Sequence, residues 1–388
     1  MKRLIFLCLH LTQLAYGQAQ QSSWISIANL PDLFLDGKIA REKLAFQSCD
    51  IPNAAMGNTA KVLFKSPEEN PVRFTDVLFL TPREGYILGT GLSIFHRPDA
   101  GASWNQLQFR NQGEAFLSLA ESKQHVLFAG ESPYLFRTKK QRHSWEAYDL
   151  RQLLHQDEKQ LESPAIRIDN IRNYQDKLLI AVGAINEDAF FIYSTNQGDS
   201  WQRLALPPLL HQGLALRDIA LLSEQRWVLL SHGIGRILIT DDGGKHWQEK
   251  TLKIQTDSDM SFHCLALADA GEVYMAGTAA LYKSQDAGNT WQRIDLANLL
   301  ATTGDMEDCL FTAMQWQDGR LYLSSQNDYS EDRKTFAYVY TPASGQFSAL
   351  LSHQQERFPG QSHGISAIDS QHIYLLDSYT LYQIELQK

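Results

Sequence analysis

Short apolar runs alternate with turn residues along most of the chain. In one stretch the runs "DIALL", "RWVLLS" and "RILIT" are separated by Ser, Glu and Gly, and a fourth run, "WQEKTL", follows. The same order of runs returns in the neighbouring stretches. Runs of this length, rich in branched and aromatic residues and bounded by turn formers, predict β-strands. Four consecutive strands joined by short turns predict one antiparallel sheet per unit.

The turn before each fourth run carries a recurring octamer that ends in tryptophan. The copies are "RPDAGASW", "STNQGDSW", "TDDGGKHW" and "SQDAGNTW", with a degraded copy, "TKKQRHSW". Their tryptophans recur at intervals of roughly 40 to 56 residues, the period of propeller blades. A short carboxylate can accept hydrogen bonds from its own turn, and a glycine permits positive φ. The candidate structural residues are Asp99, Gly101, Trp104, Asn196, Gly198, Trp201, Asp242, Gly244, Trp247, Asp286, Gly288 and Trp291.

These octamers resemble the Asp-box, or BNR repeat, of sialidases, sortilin-type receptors and photosystem II assembly factor propellers. The resemblance rests on four good copies and covers most of residues 74–294. It implies that the octamers lie on the outer rim of a β-propeller, where they build the fold and perform no chemistry.

The units predict an all-β fold, a seven-bladed β-propeller of four-stranded antiparallel sheets. Inner strands begin near Phe74, Phe116, Asp169, Asp218, His263, Leu310 and Ile365. The seventh unit has three strands, and "SSWISIANL" near the N-terminus has the form of a fourth. We therefore expect Trp24–Ala28 to pair with the C-terminal blade and close the ring, because closure removes exposed sheet edges. The alternative places Trp24 in an unstructured N-terminal segment.

The chain ends and insertions define the predicted domain organisation. Residues 1–19 combine a positive start, an apolar run and small-residue cleavage sites, which is typical of a signal peptide. Residues 20–388 form a single propeller domain with an insertion at 30–73 and helical pieces within 149–161 and 295–300. We expect a secreted or periplasmic monomer with no transmembrane anchor after signal cleavage.

Net charge and cysteine content limit the partners, metal sites and disulfides that the chain is expected to have. The formal net charge is −9 with both signs scattered, so nucleic acid is not expected as a partner. No cofactor and no metal site are predicted, since the cysteines are not paired as ligands. Cys264 and Cys309 occupy similar places in adjacent inner strands. They form either a disulfide or two buried thiols.

Polar residues at the start of the inner strands predict a site around the central channel. For a sialidase-like glycoside hydrolase, the resemblance implies three arginines and a tyrosine–carboxylate pair as catalytic candidates: Arg73, Arg167, Arg217, Tyr329 and Glu331. Binding candidates are Asp76, Asp218, His263, Asp308, His363, Asp328 and Arg333. Alternating Arg–Asp pairs that satisfy one another instead favour a wet, non-catalytic channel. The sequence thus favours an exported platform for a protein or glycan partner, with glycoside hydrolysis as the alternative.

Overall fold

The computed structural model describes fifteen segments of the chain. These are residues 24–27, 50–52, 58–98, 103–109, 114–140, 144–154, 166–185, 188–207, 210, 216–231, 236–252, 261–296, 309–327, 335–350 and 364–386. The predicted signal peptide, most of the 30–73 insertion before residue 58 and residues 328–334 of the "SSQNDYSEDRKTF" loop lie outside them.

Within the described segments, thirty strands form seven antiparallel sheets arranged as blades. Three strands precede the first blade: β1 (Ile25–Ser26), β2 (Asp50–Pro52) and β3 (Thr59–Lys65). Blade 1 contains β4 (Phe74–Thr81), β5 (Glu84–Gly89), β6 (Ser93–Arg97) and β7 (Asn105–Gln108). Blade 2 contains β8 (Phe116–Glu121), β9 (His125–Gly130), β10 (Tyr134–Lys139) and β11 (Trp145–Asp149). Blade 3 contains β12 (Ile166–Tyr174), β13 (Leu178–Ile185), β14 (Asp188–Ser194) and β15 (Gln202–Leu204).

The remaining blades repeat the same up-and-down order. Blade 4 contains β16 (Leu216–Leu221), β17 (Trp227–Ser231), β18 (Arg236–Thr240) and β19 (Gln248–Thr251). Blade 5 contains β20 (Phe262–Leu267), β21 (Val273–Gly277), β22 (Ala280–Ser284) and β23 (Gln292–Arg293). Blade 6 contains β24 (Cys309–Gln317), β25 (Arg320–Asn327), β26 (Thr335–Thr341) and β27 (Gln346–Ala349). Blade 7 contains β28 (Gly364–Ala367), β29 (Ile373–Leu376) and β30 (Thr380–Glu385).

Strand β3 completes blade 7 and closes the ring. It pairs antiparallel with β30, with Lys61 opposite Gln383. The prediction that an N-terminal strand pairs with the C-terminal blade is confirmed, but assigning that strand to Trp24–Ala28 was wrong. The physical reason is burial on both faces of β3. Val62 packs with the cluster shared with blade 6, and Phe64 packs with the cluster shared with blade 1.

The hydrophobic core is divided among the contacts between neighbouring blades. The described residues hold seven apolar clusters, and each one combines side chains of two adjacent sheets. The closing cluster contains Phe64, which stacks on Trp104 with ring centroids 5.0 Å apart. Phe79 of blade 1 stacks on Tyr374 of blade 7 at 3.5 Å. Every blade therefore depends on both neighbours, as a closed ring requires.

The three fully described octamers form the same hairpin. In each, the first side chain, Ser194, Thr240 or Ser284, accepts a hydrogen bond from the glycine amide four residues later, at 2.8–2.9 Å. The third side chain, Asn196, Asp242 or Asp286, accepts from the backbone amide before the tryptophan at 2.8–3.0 Å. The glycines have φ of 86–89°, a conformation that glycine adopts without steric cost.

The segment that contains Trp24, residues 24–27, links blade 2 to blade 3 and is called the strap. Strand β1 pairs with the outer strand β11, with Ile25 opposite Ala147. The indole Nε1 of Trp24 donates to the Gly198 carbonyl oxygen at 2.7 Å, and the Arg137 guanidinium lies 4.1 Å from the Trp24 ring centroid. In the other two octamers the glycine carbonyl accepts instead from the octamer's own tryptophan at 2.9 Å. Trp24 thus takes the place that Trp201 would fill.

Trp24→Ala is expected to lower the free energy of unfolding by about 2 kcal/mol, because it removes a half-buried ring, a cation–π contact and an indole hydrogen bond. Urea denaturation of the full chain measures the loss. Ile25→Ala, on the exposed side of the same strand, serves as the control, and we expect a change within about 0.5 kcal/mol. Equal effects of the two substitutions would show that Trp24 does not anchor the strap.

A short helix follows the outer strand of blade 2. α1 (Leu150–Leu154) is the described part of the helix predicted within 149–161. Leu150 and Leu154 are buried, and Leu153 packs against the same cluster, so the predicted apolar face is present over this turn. Leu161 lies outside the described residues. No helix in the described segments has the length and apolar character needed to cross a membrane.

Candidate functional site

The first strands of the blades surround a central channel. Its described cavity has a volume of about 450 Å³. Polar lining side chains include Thr75, Asp76, Asp169, Arg172, Arg217, Asp218, His263 and Thr312, and apolar ones include Leu78, Leu119, Leu267, Met314 and Trp316. The channel therefore presents both charged and apolar surface to whatever enters it.

Side-chain hydrogen bonds join consecutive inner strands around the channel. Thr75 Oγ1 donates to the Phe116 carbonyl oxygen at 2.6 Å. Asn170 Nδ2 donates to the Arg217 carbonyl oxygen at 3.0 Å. Ser118 Oγ accepts from Ile171 N, and Ser366 Oγ accepts from Phe79 N. The Gln315 side-chain amide donates to the Ala367 carbonyl oxygen and accepts from Ala367 N. These bonds fix one blade against the next where the ring is narrowest.

Asp218 is the most heavily bonded carboxylate of the channel. Oδ1 accepts from Ile219 N at 2.8 Å and from Arg172 Nη2 at 2.5 Å. Oδ2 accepts from Leu265 N of blade 5 at 2.8 Å. Asp218 is 4% exposed, so these partners replace water, as a buried charge requires. One side chain thereby connects blades 3, 4 and 5.

Asp76 occupies the corresponding place in blade 1. Its Oδ1 accepts from Val77 N at 2.8 Å, and the amide of Leu119 in blade 2 also bonds to the carboxyl group. Burial raises the pKa of Asp76 to about 7, while the backbone bond and the nearby Arg172 partly oppose the shift. The carboxyl group is thus close to half-protonated near neutral pH.

The channel mouth carries a compact charged group. Arg167 Nε lies 2.7 Å from Asp169 Oδ1, and Arg217 interacts electrostatically with both. Burial raises the pKa of Asp169, and Arg167 opposes this. Burial also lowers the pKa of Arg217, which Asp169 opposes. Arg167 is therefore ion-paired with Asp169, and Arg217 adds a second positive charge nearby, so the group keeps an excess of positive charge.

The structure brings some predicted site residues together and separates others. Arg167 forms an ion pair with Asp169, and Arg217 interacts electrostatically with both, whereas the described residues show no ion pair that joins Arg73 to this group. His263 Nε2 lies 2.6 Å from Ser261 Oγ, beside the channel. Asp308, Asp328, Tyr329, Glu331, Arg333 and His363 lie outside the described residues, as do Asp99 and Gly101.

Several channel residues were missed by the sequence reasoning, and Arg172 is the most consequential. It follows Asn170 by two positions in β12, after a β-bulge between Ile168 and Asn170. A bulge shifts which side chains face the next blade, so alternation alone did not place Arg172 in the channel. A polar side chain two positions after the first apolar residue of an inner strand, as in Asp76, Ser118 and Asp218, is the signal that could have marked the ring.

Cys264 is a buried free thiol. Its Sγ lies 3.9 Å from the Ala276 carbonyl oxygen and 4.0 Å from that of Phe311, and burial raises its pKa well above the ordinary value. Of the two alternatives left open for Cys264, a disulfide or a buried thiol, the structure therefore shows the buried thiol. Within the described ranges no group of three or more His, Cys, Asp or Glu is placed to hold a metal ion.

Two aspartates with raised pKa values, the partly buried Asp76 and the fully buried Asp377, give an expected pH dependence of stability. Burial raises the pKa of Asp76 to about 7 and that of Asp377 to about 6. The folded chain then holds protons that the unfolded chain releases, so this contribution is complete below the ordinary aspartate pKa and is lost as pH rises through 6 to 7. Each group contributes a slope of at most about 1.4 kcal/mol per pH unit, and solvent in the channel screens part of it for Asp76.

Urea denaturation at pH 5, 6, 7 and 8 measures this slope. Asp76→Asn and Asp377→Asn are each expected to flatten the decline above pH 5. Asp241→Asn, an exposed control paired with Arg226, should leave the slope unchanged. A stability that rises between pH 5 and 7 would contradict the assigned directions.

Comparison with known proteins places the chain among propellers. The sequence model of the family described as "Photosynthesis system II assembly factor YCF48" matches residues 194–315. The chain is 30% identical over 144 residues to the photosystem II stability/assembly factor HCF136 of Arabidopsis thaliana, covering 34% of each protein. The corresponding rice protein is 28% identical over 144 residues. The chain thus spans about a third of the length of these curated relatives.

Solved structures share the fold at low sequence identity. A structure described as "YCF48 bound to D1 peptide" aligns with a TM-score of 0.61 and 13% identity, covering 87% of this chain and 100% of that one. A streptogramin B lyase aligns with a TM-score of 0.64 and 11% identity, covering 85% and 98%. Identities at this level support the fold alone. The chain is a seven-bladed β-propeller that, over residues 194–315, resembles the photosystem II assembly factor propellers.

Proposed function

We propose that this propeller is an exported, non-catalytic platform that binds a segment of a partner protein at the mouth of its central channel. The observation that carries the proposal is the Arg167–Asp169 ion pair at the channel mouth, with Arg217 in electrostatic interaction with both residues. Such a group supplies guanidinium donors and a carboxylate acceptor for docking. The matching relatives are named as assembly factors, and one fold neighbour is described as bound to a peptide, which agrees with this role.

A sialidase-like hydrolase needs a different arrangement of charged side chains at the channel mouth. Its three arginines have to converge on one substrate carboxylate, yet Asp169 already engages Arg167 and faces Arg217. Arg73 is exposed, and its backbone carbonyl accepts from Thr90 N at 2.9 Å. The geometry of the described residues therefore favours docking over glycoside hydrolysis, for a protein partner more than for a glycan.

Site-specific cross-linking tests the proposed platform. A photoreactive residue at Arg217 samples the channel mouth, and one at Lys245, an exposed position in an octamer turn, is the control. We expect a discrete protein adduct from the mouth position in the native cell envelope, absent from the control and lost with Arg167→Ala. A fluorogenic glycoside panel runs in parallel. Turnover that Arg217→Ala abolishes, or identical adducts from both positions, would overturn the proposal.

Export is tested separately from docking. The charged and apolar pattern of residues 1–19 supports signal cleavage near residue 19. N-terminal sequencing of protein recovered outside the cytoplasm should begin near Gln20. Full-length protein that starts at Met1 and stays in the cytoplasm would remove export from the proposal and leave the docking experiment unaffected.

A further inference from the structure

Asp76 and Asp218 occupy equivalent positions in blades 1 and 4. Each is the first paired residue after a bulge in the innermost strand, opposite Leu88 and Leu230 respectively. Each carboxyl group accepts the amide of the next residue at 2.8 Å. Each also accepts an amide of the following blade, from Leu119 for Asp76 and from Leu265 for Asp218. The two backbone settings are therefore the same.

The two carboxyl groups differ in their cationic partner. Asp218 receives Arg172 from the preceding blade at 2.5 Å. Blade 7 precedes blade 1 in the ring, and the position in blade 7 that is equivalent to Arg172 is Ser366. Ser366 lies opposite Tyr374 in its sheet, as Arg172 lies opposite Ile180 in blade 3. Ser366 Oγ accepts from Phe79 N at 3.1 Å and carries no charge. Among the described residues, no lysine or arginine bonds to Asp76.

The cavity around Asp76 suits a positively charged organic group. Arg172 interacts electrostatically with both Asp76 and Asp218, so two carboxylates share one guanidinium. Trp316 lines the same cavity and stacks on Tyr274 with centroids 5.8 Å apart. A carboxylate and an indole that line one cavity are groups that proteins use to hold organic cations. Burial that disfavours the charged form of Asp76 agrees with a carboxylate short of positive partners.

We propose that the central cavity binds an organic cation, a guanidinium or ammonium group, through Asp76. The bound cation pairs with the Asp76 carboxylate as the Arg172 guanidinium pairs with the Asp218 carboxylate. Leu78 and Met314, which line the same cavity, accommodate the aliphatic chain to which such a group is attached. A free amine and a basic side chain of a partner protein share this chemistry, and the cavity of about 450 Å³ has room for either group.

Calorimetric titration of the full chain tests the site with two probes at pH 8: propylguanidinium, and a Gly-Arg-Gly peptide blocked at both ends. We expect saturable binding that weakens at least about tenfold in Asp76→Asn, a loss typical of one charged contact. Asp241→Asn is the matched control, with the same chemical change at an exposed aspartate outside the cavity. It should weaken binding less than about threefold, since solvent and salt screen a distant exposed charge. Propionate should not bind.

The two probes separate the sources of the cation, and pH provides a second measurement on the unmodified chain. Tighter binding of the peptide indicates a partner's side chain, and tighter binding of propylguanidinium indicates a free small molecule. Between pH 8 and 5.5, wild-type affinity should fall roughly tenfold or more as Asp76 becomes protonated. Other charged or titratable groups also face this cavity, namely Arg172, Asp218, Asp169, Arg217 and His263. Because only the titration of Asp76 is proposed to cause the pH effect, the effect must vanish in Asp76→Asn. No saturable binding of either probe, equal losses in both variants, a pH-independent affinity or binding of propionate would each overturn the proposal.

Discussion

A chain shortened to begin at Pro67 will fail to fold cooperatively, whereas a chain that begins at Gly57 will keep a cooperative transition. The shorter chain lacks β3, which buries Ala60, Val62, Leu63 and Phe64 at 1–6% exposure. Burial of each of the three larger side chains contributes about 1.5–3 kcal/mol. The summed loss is comparable with the whole free energy of unfolding of a typical domain, about 5–15 kcal/mol.

Thermal and urea unfolding of the two chains, followed by circular dichroism and tryptophan fluorescence, measures the difference. Of the described segments, the chain from Gly57 lacks the strap and β2 alone, so we expect a lower midpoint and an unchanged single transition. It is the matched control for truncation as such. Two chains with the same unfolding curve would show that β3 does not close the ring.

Asp218→Ala is the point substitution with the largest expected effect, a loss of about 3–5 kcal/mol in the free energy of unfolding. The change leaves the Arg172 guanidinium without its carboxylate. It also leaves two buried amides, of Ile219 and Leu265, without their acceptor. Unsatisfied buried groups cost more than the lost bonds contribute.

Asp241→Ala controls for the removal of an aspartate that pairs with an arginine. Asp241 pairs with Arg226 with its side chain 65% exposed, so we expect a loss of at most about 1 kcal/mol. Urea denaturation at one pH compares the two variants. A loss for Asp218→Ala no larger than the control would show that the carboxylate does not hold blades 3, 4 and 5 together.

The blade pattern could be predicted from the sequence because it repeats. Trp104, Trp201, Trp247 and Trp291 set the period, and the apolar runs before them gave the order of strands within each sheet. The seven inner strands begin within a few residues of their predicted positions. The repeat did not predict the pairing of the N-terminal segment, because that segment is not part of a repeat unit. There the tryptophan of "SSWISIANL" resembled an outer-strand residue, and it does flank an outer edge, but in blade 2.

Trp24 could not have been placed from local pattern. Strand β1 pairs over two residues, and Trp24 is held beside it by the Gly198 carbonyl oxygen and the Arg137 guanidinium, both far away in sequence. The channel shows the same limitation. Asp76, Asp218 and His263 were identified as polar residues at strand starts, and they do line the cavity. Arg172 was missed because its direction depends on a bulge, which a single sequence does not reveal.

Disulfide trapping across the closing strand pair tests the ring most directly. In the chain, Lys61 lies opposite Gln383, whereas Ser26 lies opposite Glu146 of blade 2. With cysteines at 61 and 383, mild oxidation followed by peptide mass spectrometry should yield a cross-link between these two positions. Cysteines at 26 and 383 should yield none. A cross-link from 26 to 383, with none from 61 to 383, would contradict the closure on which the channel and its proposed sites depend.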